Sequence, residues 1–203
     1  MNFESSSTVR YLITRGDLTE SNFSTEKLST LSIVRSAVKI GIELVQIREK
    51  GIEARSLYEL VRDAAVLTAG TGTRLLVNER FDIAVAGGAD GVHLSSRSIP
   101  IAAVKRRVGK GFLIGISTHS KDEVIEAKTK GADFALFGNV FATPGKGVPV
   151  GIEELASICS TVAPFPVIAV GGIDGSNAQS VLDAGVVGYA AIRYLNEFVS
   201  IGE

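Results

Sequence analysis

The sequence predicts an α/β fold, a compact (β/α)8 barrel of the TIM type with a short last helix. Two observations predict it: eight short apolar runs recur along the 203-residue chain, and segments with helical patterns lie between them. Barrels of this kind typically have roughly 250 residues, with about 200 as the lower limit. The length therefore predicts a single barrel domain, residues 1–203, with short loops.

The eight runs are apolar almost throughout and do not alternate with polar residues. Strands that are buried on both faces have this pattern, and such strands usually run parallel. We therefore expect a parallel sheet. In chain order the runs are 11–13, 43–47, 74–77, 91–94, 112–116, 134–137, 166–170 and 188–192.

Helices are expected between the runs. Apolar residues recur at helical spacing in the first two segments, and the third begins with Ser120 and Glu123, the polar pair of a capping box. Strand followed by helix, repeated along the chain, is typical of an α/β fold with a parallel sheet. The segments are 25–41, with Gly41 as its C-cap, 54–69, 120–130 and 176–184.

An open, doubly wound sheet is the competing architecture. No G-x-G-x-x-G motif follows the first run, which is followed instead by TRGDL, so the usual phosphate fingerprint of that fold is absent. Only residues 193–203 follow the eighth run, and the closing helix is therefore expected to be short.

Composition excludes several classes of protein. The chain has 21 basic and 22 acidic residues, so no strong positive field attracts nucleic acid or a membrane surface. One cysteine, Cys159, excludes an intramolecular disulfide, and only His93 and His119 are available for a histidine metal site. Cys159 and His93 both lie in apolar surroundings and are expected to pack in the core. Without a secretory signal or a membrane span, a cytoplasmic protein is expected, and the sequence leaves open whether it forms a homo-oligomer.

One candidate site follows the second run, in the segment VQIREK. Gln46, Arg48 and Lys50 alternate there, so an extended backbone points all three to one side. Arginine binds oxygen pairs through two hydrogen bonds and lysine adds a point charge, which suits a phosphorylated ligand. The alternative is a solvated strand end that pairs with Glu49.

Asn78 and Glu79 follow the third run, and Ser117 follows the fifth. Asparagine can donate to phosphate oxygens, and a carboxylate can hold Mg²⁺. The alternative for this pair is a helix N-cap followed by an acid in the first helical turn.

Two further loops suit an anion. The loop after the sixth run, GNVFATPGKG, carries Thr143 and Lys146 and resembles an anion cradle. Phosphate sites recur in the loops after the seventh and eighth strands of such barrels. Here those loops carry Gly171, Gly172 and Arg193.

Six segments in order, VQIREK, VNER, ADGVHL, IGISTHS, GADFALFGNVFATPGKG and VIAVGGI, resemble the thiamine phosphate synthase and thiazole tautomerase superfamily. The resemblance extends from the second strand to the eighth. It implies a β/α barrel that binds thiamine precursors. In the synthases, a hydroxymethylpyrimidine diphosphate loses pyrophosphate, and a thiazole phosphate captures the resulting pyrimidine cation.

The resemblance also implies a role for each matching residue. Gln46 would contact the pyrimidine, and Glu79 takes the place of an aspartate that binds Mg²⁺. The thiazole phosphate would be held by Thr143, by the amides near Gly171 and Gly172, and by the loop of Arg193. The pyrophosphate would be held by Arg48, Lys50, Asn78 and Lys146, with Ser117 beside it.

Several positions depart from the superfamily pattern: Glu79 replaces an aspartate, Gly145 a threonine and Arg193 a serine. Two further departures bear on the choice of activity. Ser98 stands where synthases carry a second Mg²⁺-binding acid, and its alternative role is to cap the helix that begins near Pro100. Asn139 stands where tautomerases carry a proton-transferring histidine, and asparagine cannot do that work. Because the pyrophosphate-binding set is intact, a transferase of the synthase type is placed first. A thiazole tautomerase-like isomerase and a non-catalytic phosphate-binding barrel are the alternatives.

Overall fold

The computed structural model describes residues 8–201, which form a closed barrel of eight parallel strands surrounded by eight helices. Each strand pairs with the next, and β8 pairs with β1 to close the barrel. The strands are β1 Val9–Ile13, β2 Leu44–Ile47, β3 Arg74–Asn78, β4 Gly91–Leu94, β5 Leu113–Thr118, β6 Phe134–Phe137, β7 Val167–Val170 and β8 Gly188–Ala191. The helices are α1 Phe23–Lys39, α2 Ala54–Thr68, α3 Phe81–Gly87, α4 Ile101–Lys105, α5 Lys121–Lys130, α6 Gly151–Val162, α7 Ala178–Asp183 and α8 Arg193–Ile201.

The predicted (β/α)8 barrel is therefore confirmed, and every predicted run overlaps one strand. The first helix begins two residues before the predicted segment and ends at Lys39, so Ile40 and not Gly41 is its C-cap. Ser120 caps α5 as expected, because its Oγ accepts a hydrogen bond from the backbone N–H of Glu123. The predicted domain also includes residues 1–7 and 202–203, which lie outside the described residues.

The last helix, α8, has nine residues against 17 in α1. It is short, as expected, although α3, α4 and α7 are shorter still. Cys159 is buried in α6 and packs in the core, as predicted. Within residues 8–201, no helix combines the length and the apolar character that crossing a membrane requires.

Side chains alternate between two parts of the core because successive residues of a strand face opposite ways. One part fills the barrel interior and includes Tyr11, Leu44, Leu76 and Phe134. The other lies between the sheet and the helices. Gly115 makes room for the interior ring: a Cβ built on it would lie 2.2 Å from an atom of Phe134. The interior is therefore a packed core that ends below the carboxyl ends of the strands.

Candidate active site

The residues after β2 extend the interior layer of side chains toward the mouth of the barrel, the carboxyl ends of the strands. Gln46 is only 1% exposed, and its Nε2 donates a 2.6 Å hydrogen bond to Tyr11 Oη in the core below. Burial raises the pKa of Tyr11, so this hydroxyl stays protonated. Arg48 is half-buried and Lys50 is exposed, so the three alternating residues form a ladder from core to solvent.

Glu49 lies between these cations in sequence but is 5% exposed and turned to the other side of the strand. Its carboxylate accepts hydrogen bonds from Thr14 Oγ1 (2.6 Å), Gly16 N (3.2 Å) and Leu18 N (3.0 Å). Thr14 Oγ1 in turn accepts from the backbone N–H of Arg48 at 2.9 Å. The carboxylate therefore fixes the β1–α1 loop to the end of β2, and the alternative in which it pairs with the neighbouring cations is wrong. Sequence reasoning missed this role because a buried acid in VQIREK looks like a surface charge.

The end groups of the four candidate anion-binding residues have no internal partner. Within residues 8–201, no ion pair or side-chain hydrogen bond is made by the end groups of Arg48, Lys50, Asn78 or Lys146. Many exposed cations in this part of the chain also lack a partner, but Arg48 is half-buried, and leaving the five N–H donors of a half-buried guanidinium without an acceptor is unfavourable. Arg48 is therefore disposed to bind an anion, and Lys50 and Lys146 are exposed beside it and on the β6–α6 loop.

Glu79 turns the chain at the end of β3. Its φ is +60°, in the left-handed region that non-glycine residues rarely adopt, and its backbone N–H donates to the His93 carbonyl at 2.8 Å. Strained backbone of this kind is found disproportionately at functional sites. The turn directs the Glu79 carboxylate to the β4–α4 loop and not to the helical side of the sheet.

Two serines of that loop hold the Glu79 carboxylate. Its Oε1 accepts from Ser95 Oγ at 2.6 Å and from Ser98 Oγ at 3.4 Å. The Ser95 hydrogen bond, followed by the positive charge of Lys50, lowers the pKa of Glu79, while burial opposes this. Arg97 lowers that pKa further. The carboxylate is therefore ionised and lies among positive charges from two other loops.

Ser98 does not cap α4, so that alternative is wrong. The N-cap of α4 is Pro100, without a side-chain hydrogen bond, and Ser98 Oγ instead accepts from Ser95 N at 2.9 Å. Ser98 thus lies against Glu79 at the position where an acid was expected from the resemblance. Ser95, which binds Glu79 more closely, was not singled out in the sequence because it belongs to no motif.

His93 and Ser117 lie on neighbouring strands below the mouth. Both point inward, and His93 Nε2 lies 2.9 Å from Ser117 Oγ. His93 is 3% exposed, and its ring contacts those of Tyr11 and Phe134 at centroid distances of 5.9 and 6.1 Å. Burial lowers the pKa of His93 to about 3, with the Glu79 charge opposing and the Arg48 charge adding to the shift. The histidine is neutral and packs in the core as predicted, but it also contacts a candidate site residue.

The loop after β6 is held by Asn139. Its Nδ2 donates to the carbonyls of Phe141 (3.3 Å) and Gly147 (3.2 Å), at opposite ends of the loop. Thr143 Oγ1 also donates to the Phe141 carbonyl, and Lys146 N donates to the Thr143 carbonyl. The loop is therefore an ordered turn that presents the exposed Lys146 side chain.

Gly171 and Gly172 pack against this same loop. Both have positive φ, and a Cβ on Gly171 would lie 2.5 Å from Asn139 Cβ, while one on Gly172 would lie 2.7 Å from Phe141 Cβ. Only glycine fits such close approaches, so these two strand ends are joined. Arg193 begins α8 and is exposed. Within residues 8–201, no hydrogen bond or ion pair connects it to the two glycines.

The candidate residues thus form two groups around one mouth. One group surrounds the ends of β2 to β5, and the other surrounds the ends of β6 to β8. The two groups are not linked through their donors, since no side-chain hydrogen bond within residues 8–201 joins Lys146 to Arg48 or Asn78. The described residues contain no group of three or more metal-binding side chains of histidine, cysteine, aspartate or glutamate. A metal ion here would need oxygens from its substrate.

Comparison with known proteins identifies relatives over most of the chain. The model of the family described as thiamine monophosphate synthase matches residues 11–195. The thiamine-phosphate synthase of Moorella thermoacetica is 38% identical over 166 residues, covering 80% of this chain and 79% of that protein. That of Clostridium novyi is 40% identical over 167 residues, covering 81% of each. A solved structure of thiamine phosphate pyrophosphorylase from Pyrococcus furiosus superposes with a TM-score of 0.78 at 32% identity, covering 95% of this chain and 92% of that one.

Proposed function

The chain belongs to the thiamine monophosphate synthase family, and on this premise we propose how its barrel mouth carries out the family's reaction. The protein is a transferase of thiamine biosynthesis. It joins hydroxymethylpyrimidine diphosphate to a thiazole phosphate with release of pyrophosphate. The residue roles below are our proposal.

Arg48 and Lys50 bind the diphosphate of the pyrimidine substrate, with Asn78 and Lys146 as further donors. The observation that supports this is the absence, within residues 8–201, of any internal partner for these four end groups. In the reaction the bond between the pyrimidine methylene carbon and the diphosphate oxygen breaks, and its electron pair leaves on that oxygen. Fixed positive charges stabilise the growing negative charge and therefore the transition state. Lys146 reaches the leaving group from the β6–α6 loop, which Asn139 holds.

Gln46 is the floor of the pyrimidine site. Its Nε2 is committed to Tyr11 Oη, which orients the amide, while its Oε1 accepts no hydrogen bond within residues 8–201. An oriented acceptor below the mouth suits a heterocycle that carries a donor. The tyrosine hydroxyl stays protonated because burial raises its pKa, so the pair remains neutral.

The thiazole phosphate is held at the second group of loops. Gly171 and Gly172, both with positive φ, turn the backbone at the end of β7, and we assign their N–H groups to the oxyanion, with Thr143 and Arg193 in neighbouring loops. Binding there brings the thiazole nitrogen toward the methylene carbon. Its lone pair forms the new carbon–nitrogen bond as the pyrophosphate leaves.

Mg²⁺ is proposed as a cofactor that binds together with the diphosphate. Glu79 fits as the protein ligand because its carboxylate is ionised and turned to the mouth, and Mg²⁺ commonly takes one or two carboxylates plus substrate phosphates. The ion would add positive charge beside the leaving group. Ser98 supplies no second carboxylate, so Arg97 and Lys50 contribute the remaining positive charge near Glu79.

The isomerase alternative is disfavoured by the position of Asn139. Its amide nitrogen donates to two loop carbonyls, and it neither accepts nor releases a proton at ordinary pH. The residue stabilises a loop where the tautomerases of the superfamily would place a proton-transferring histidine.

Location and assembly are proposed from the charge of the chain. We expect a cytoplasmic enzyme whose partners are small phosphorylated substrates, since the net charge of −1 offers no general attraction for nucleic acid or membrane. Gel filtration with light scattering tests whether it forms a homo-oligomer.

The function is tested by incubating the purified protein with both precursors, with and without Mg²⁺. We expect thiamine phosphate and pyrophosphate to appear in equal amounts when both precursors are present, and no thiamine phosphate when the thiazole phosphate is omitted. The product is measured by chromatography and pyrophosphate by a coupled colour assay. Tight binding of both precursors without product would contradict the synthase assignment and favour a non-catalytic barrel.

A further inference from the structure

His93 is buried beneath the mouth and has an incomplete set of hydrogen bonds. Its Nε2 lies 2.9 Å from Ser117 Oγ, but its Nδ1 is buried without a hydrogen-bond partner in the described structure. Aromatic rings of Tyr11 and Phe134 flank the imidazole, so no polar side chain approaches from those sides. The single polar contact of this side chain is therefore the serine hydroxyl.

The unpartnered nitrogen decides which tautomer the ring adopts. A neutral imidazole carries one N–H, and a buried N–H without an acceptor is rarer and less favourable than a buried lone pair without a donor. The proton should therefore lie on Nε2, where Ser117 Oγ can accept it, and Nδ1 should carry the lone pair.

This tautomer fixes the direction of the serine hydroxyl. Because Ser117 Oγ accepts from His93, its own hydrogen cannot point to the histidine and must point elsewhere. Ser117 lies on the inward side of β5, two residues beyond Gly115, and is half-buried at the mouth. Its hydrogen is left to donate to a ligand in the mouth.

We propose that His93 is a positioning residue that donates from Nε2 to Ser117 Oγ and thereby turns the serine hydroxyl hydrogen toward the departing pyrophosphate. The proposal rests on the proposed synthase function for the identity of that ligand. His93 itself neither touches the substrate nor exchanges a proton in the reaction. It acts by holding one donor in the orientation that the leaving oxygens require.

Nitrogen NMR tests the tautomer without any need for turnover. The chain has two histidines, and His119 supplies an internal contrast: its Nδ1 lies 2.6 Å from the Gly138 carbonyl, which can only accept, so the neutral ring carries its proton on Nδ1. With ¹⁵N-labelled histidine at pH 8, we expect two patterns, one for each tautomer. His93→Gln should remove the pattern of the Nε2–H form. Two Nδ1–H patterns would overturn the proposal.

Kinetics test whether the orientation matters. His93→Gln keeps an N–H donor at about the place of Nε2, whereas His93→Leu has similar volume and no donor. We expect His93→Leu to lower kcat roughly tenfold, the effect of losing one hydrogen bond in the transition state, with a smaller change in KM. His93→Gln should recover most of that loss.

A double-mutant cycle separates positioning from a general effect on the fold. If His93 acts through Ser117, His93→Leu should lower kcat in the wild-type background and not in Ser117→Ala. Equal losses in both backgrounds, with equal changes in melting temperature, would overturn the proposal. If the wild-type protein forms no thiamine phosphate at all, the proposed function fails, and the NMR pattern still decides whether the histidine orients the serine.

Discussion

Arginines at the two ends of the barrel differ in whether their guanidinium groups have internal partners. At the amino ends of the strands, Arg10 donates from Nε and Nη2 to the Glu43 carboxylate and from Nη2 to the Gly41 carbonyl, and Arg74 pairs with Asp90 at 2.9 Å. At the carboxyl ends, Arg48 has no such partner within residues 8–201. The amino end uses charge to hold strands together, and the carboxyl end keeps charge available for a ligand.

This contrast extends to the backbone. Asp90 also accepts from Leu75 N at 2.9 Å, and Asp133 accepts from Ile114 N at 2.7 Å, so acids before β4 and β6 close the sheet at its amino end. At the other end the unusual features are the left-handed Glu79 and the close packing of Gly171 on Asn139. These contacts stabilise the amino end, and the residues proposed to bind substrate lie at the carboxyl end, as in β/α barrels generally.

The largest effect is expected from removing a cation of the mouth. Arg48→Ala should lower kcat/KM for the diphosphate substrate by roughly thirtyfold or more, because truncating a charged partner of a bound phosphate typically costs about 2–5 kcal/mol. Its melting temperature should change little. Arg55→Ala, an exposed arginine on α2, is the matched control and should leave the rate unchanged. Equal kcat/KM values for Arg48→Ala and Arg55→Ala would show that Arg48 does not bind the diphosphate.

The second effect concerns the pH dependence of the free energy of unfolding, which should reflect the burial of neutral His93 below the mouth. The folded pKa of His93 is about 3, below the ordinary value of 6.5, so the unfolded chain binds a proton that the folded chain excludes. Above pH 6.5 His93 is neutral in both states and does not change the free energy of unfolding with pH. As pH falls from 6.5 toward 3, His93 lowers that free energy by up to roughly 1.4 kcal/mol per pH unit.

Urea unfolding of the wild type and of His93→Gln at several pH values isolates this contribution, since other titrating groups are shared. The stability difference between the two proteins should change in favour of the variant as pH falls from 6.5 to 4. A constant difference would show that His93 is not held neutral by burial.

The third effect is expected at the amino end of the barrel. Arg10→Ala removes three side-chain hydrogen bonds, to Glu43 and to the Gly41 carbonyl, and should lower the free energy of unfolding by about 1–3 kcal/mol. The folded variant should keep the wild-type kcat and KM below its melting temperature. A fall in kcat without a fall in stability would contradict the division between the two ends.

The smallest effect is expected at the altered metal site. Ser98→Asp places a second carboxylate beside Glu79 and should raise Mg²⁺ affinity in the presence of pyrophosphate by roughly tenfold, since Mg²⁺ readily uses two carboxylates. Without pyrophosphate, both proteins should bind Mg²⁺ weakly. Calorimetry with and without pyrophosphate gives both affinities, and unchanged affinity in its presence would remove Glu79 as the metal ligand.

The fold followed from the sequence because its signals are local. Buried strands are apolar runs, and Ser120 with Glu123 marks a helix start whatever surrounds it. The cap of α1 was predicted one residue late: Ile40 is the C-cap, and Gly41 follows it with a φ of +74°. A glycine marks the end of a helix in a sequence only to within about a residue. The short helices α3 and α4 carry too few residues to show a periodic pattern.

The site was predicted only in part because its partners come from different loops. Arg48 and Lys50 could be placed on the same face of the chain because side chains alternate along an extended strand. The bond from Ser95 to Glu79 joins residues 16 apart, and those of Asn139 depend on the folded shape of its loop. Burial of Glu49 is likewise invisible in a sequence, since an acid between two basic residues has the pattern of a solvated surface.

Binding of pyrophosphate alone tests whether Arg48 and Lys50 bind the leaving group, because it requires neither substrate nor turnover. Calorimetric titration would compare the wild type, the double variant Arg48→Ala/Lys50→Ala, and Arg10→Ala. We expect the double variant to lose pyrophosphate affinity by roughly a hundredfold or more, while Arg10→Ala, though less stable, binds within about twofold of the wild type. Wild-type affinity in the double variant, or loss of binding in Arg10→Ala at a temperature where it is folded, would contradict this expectation.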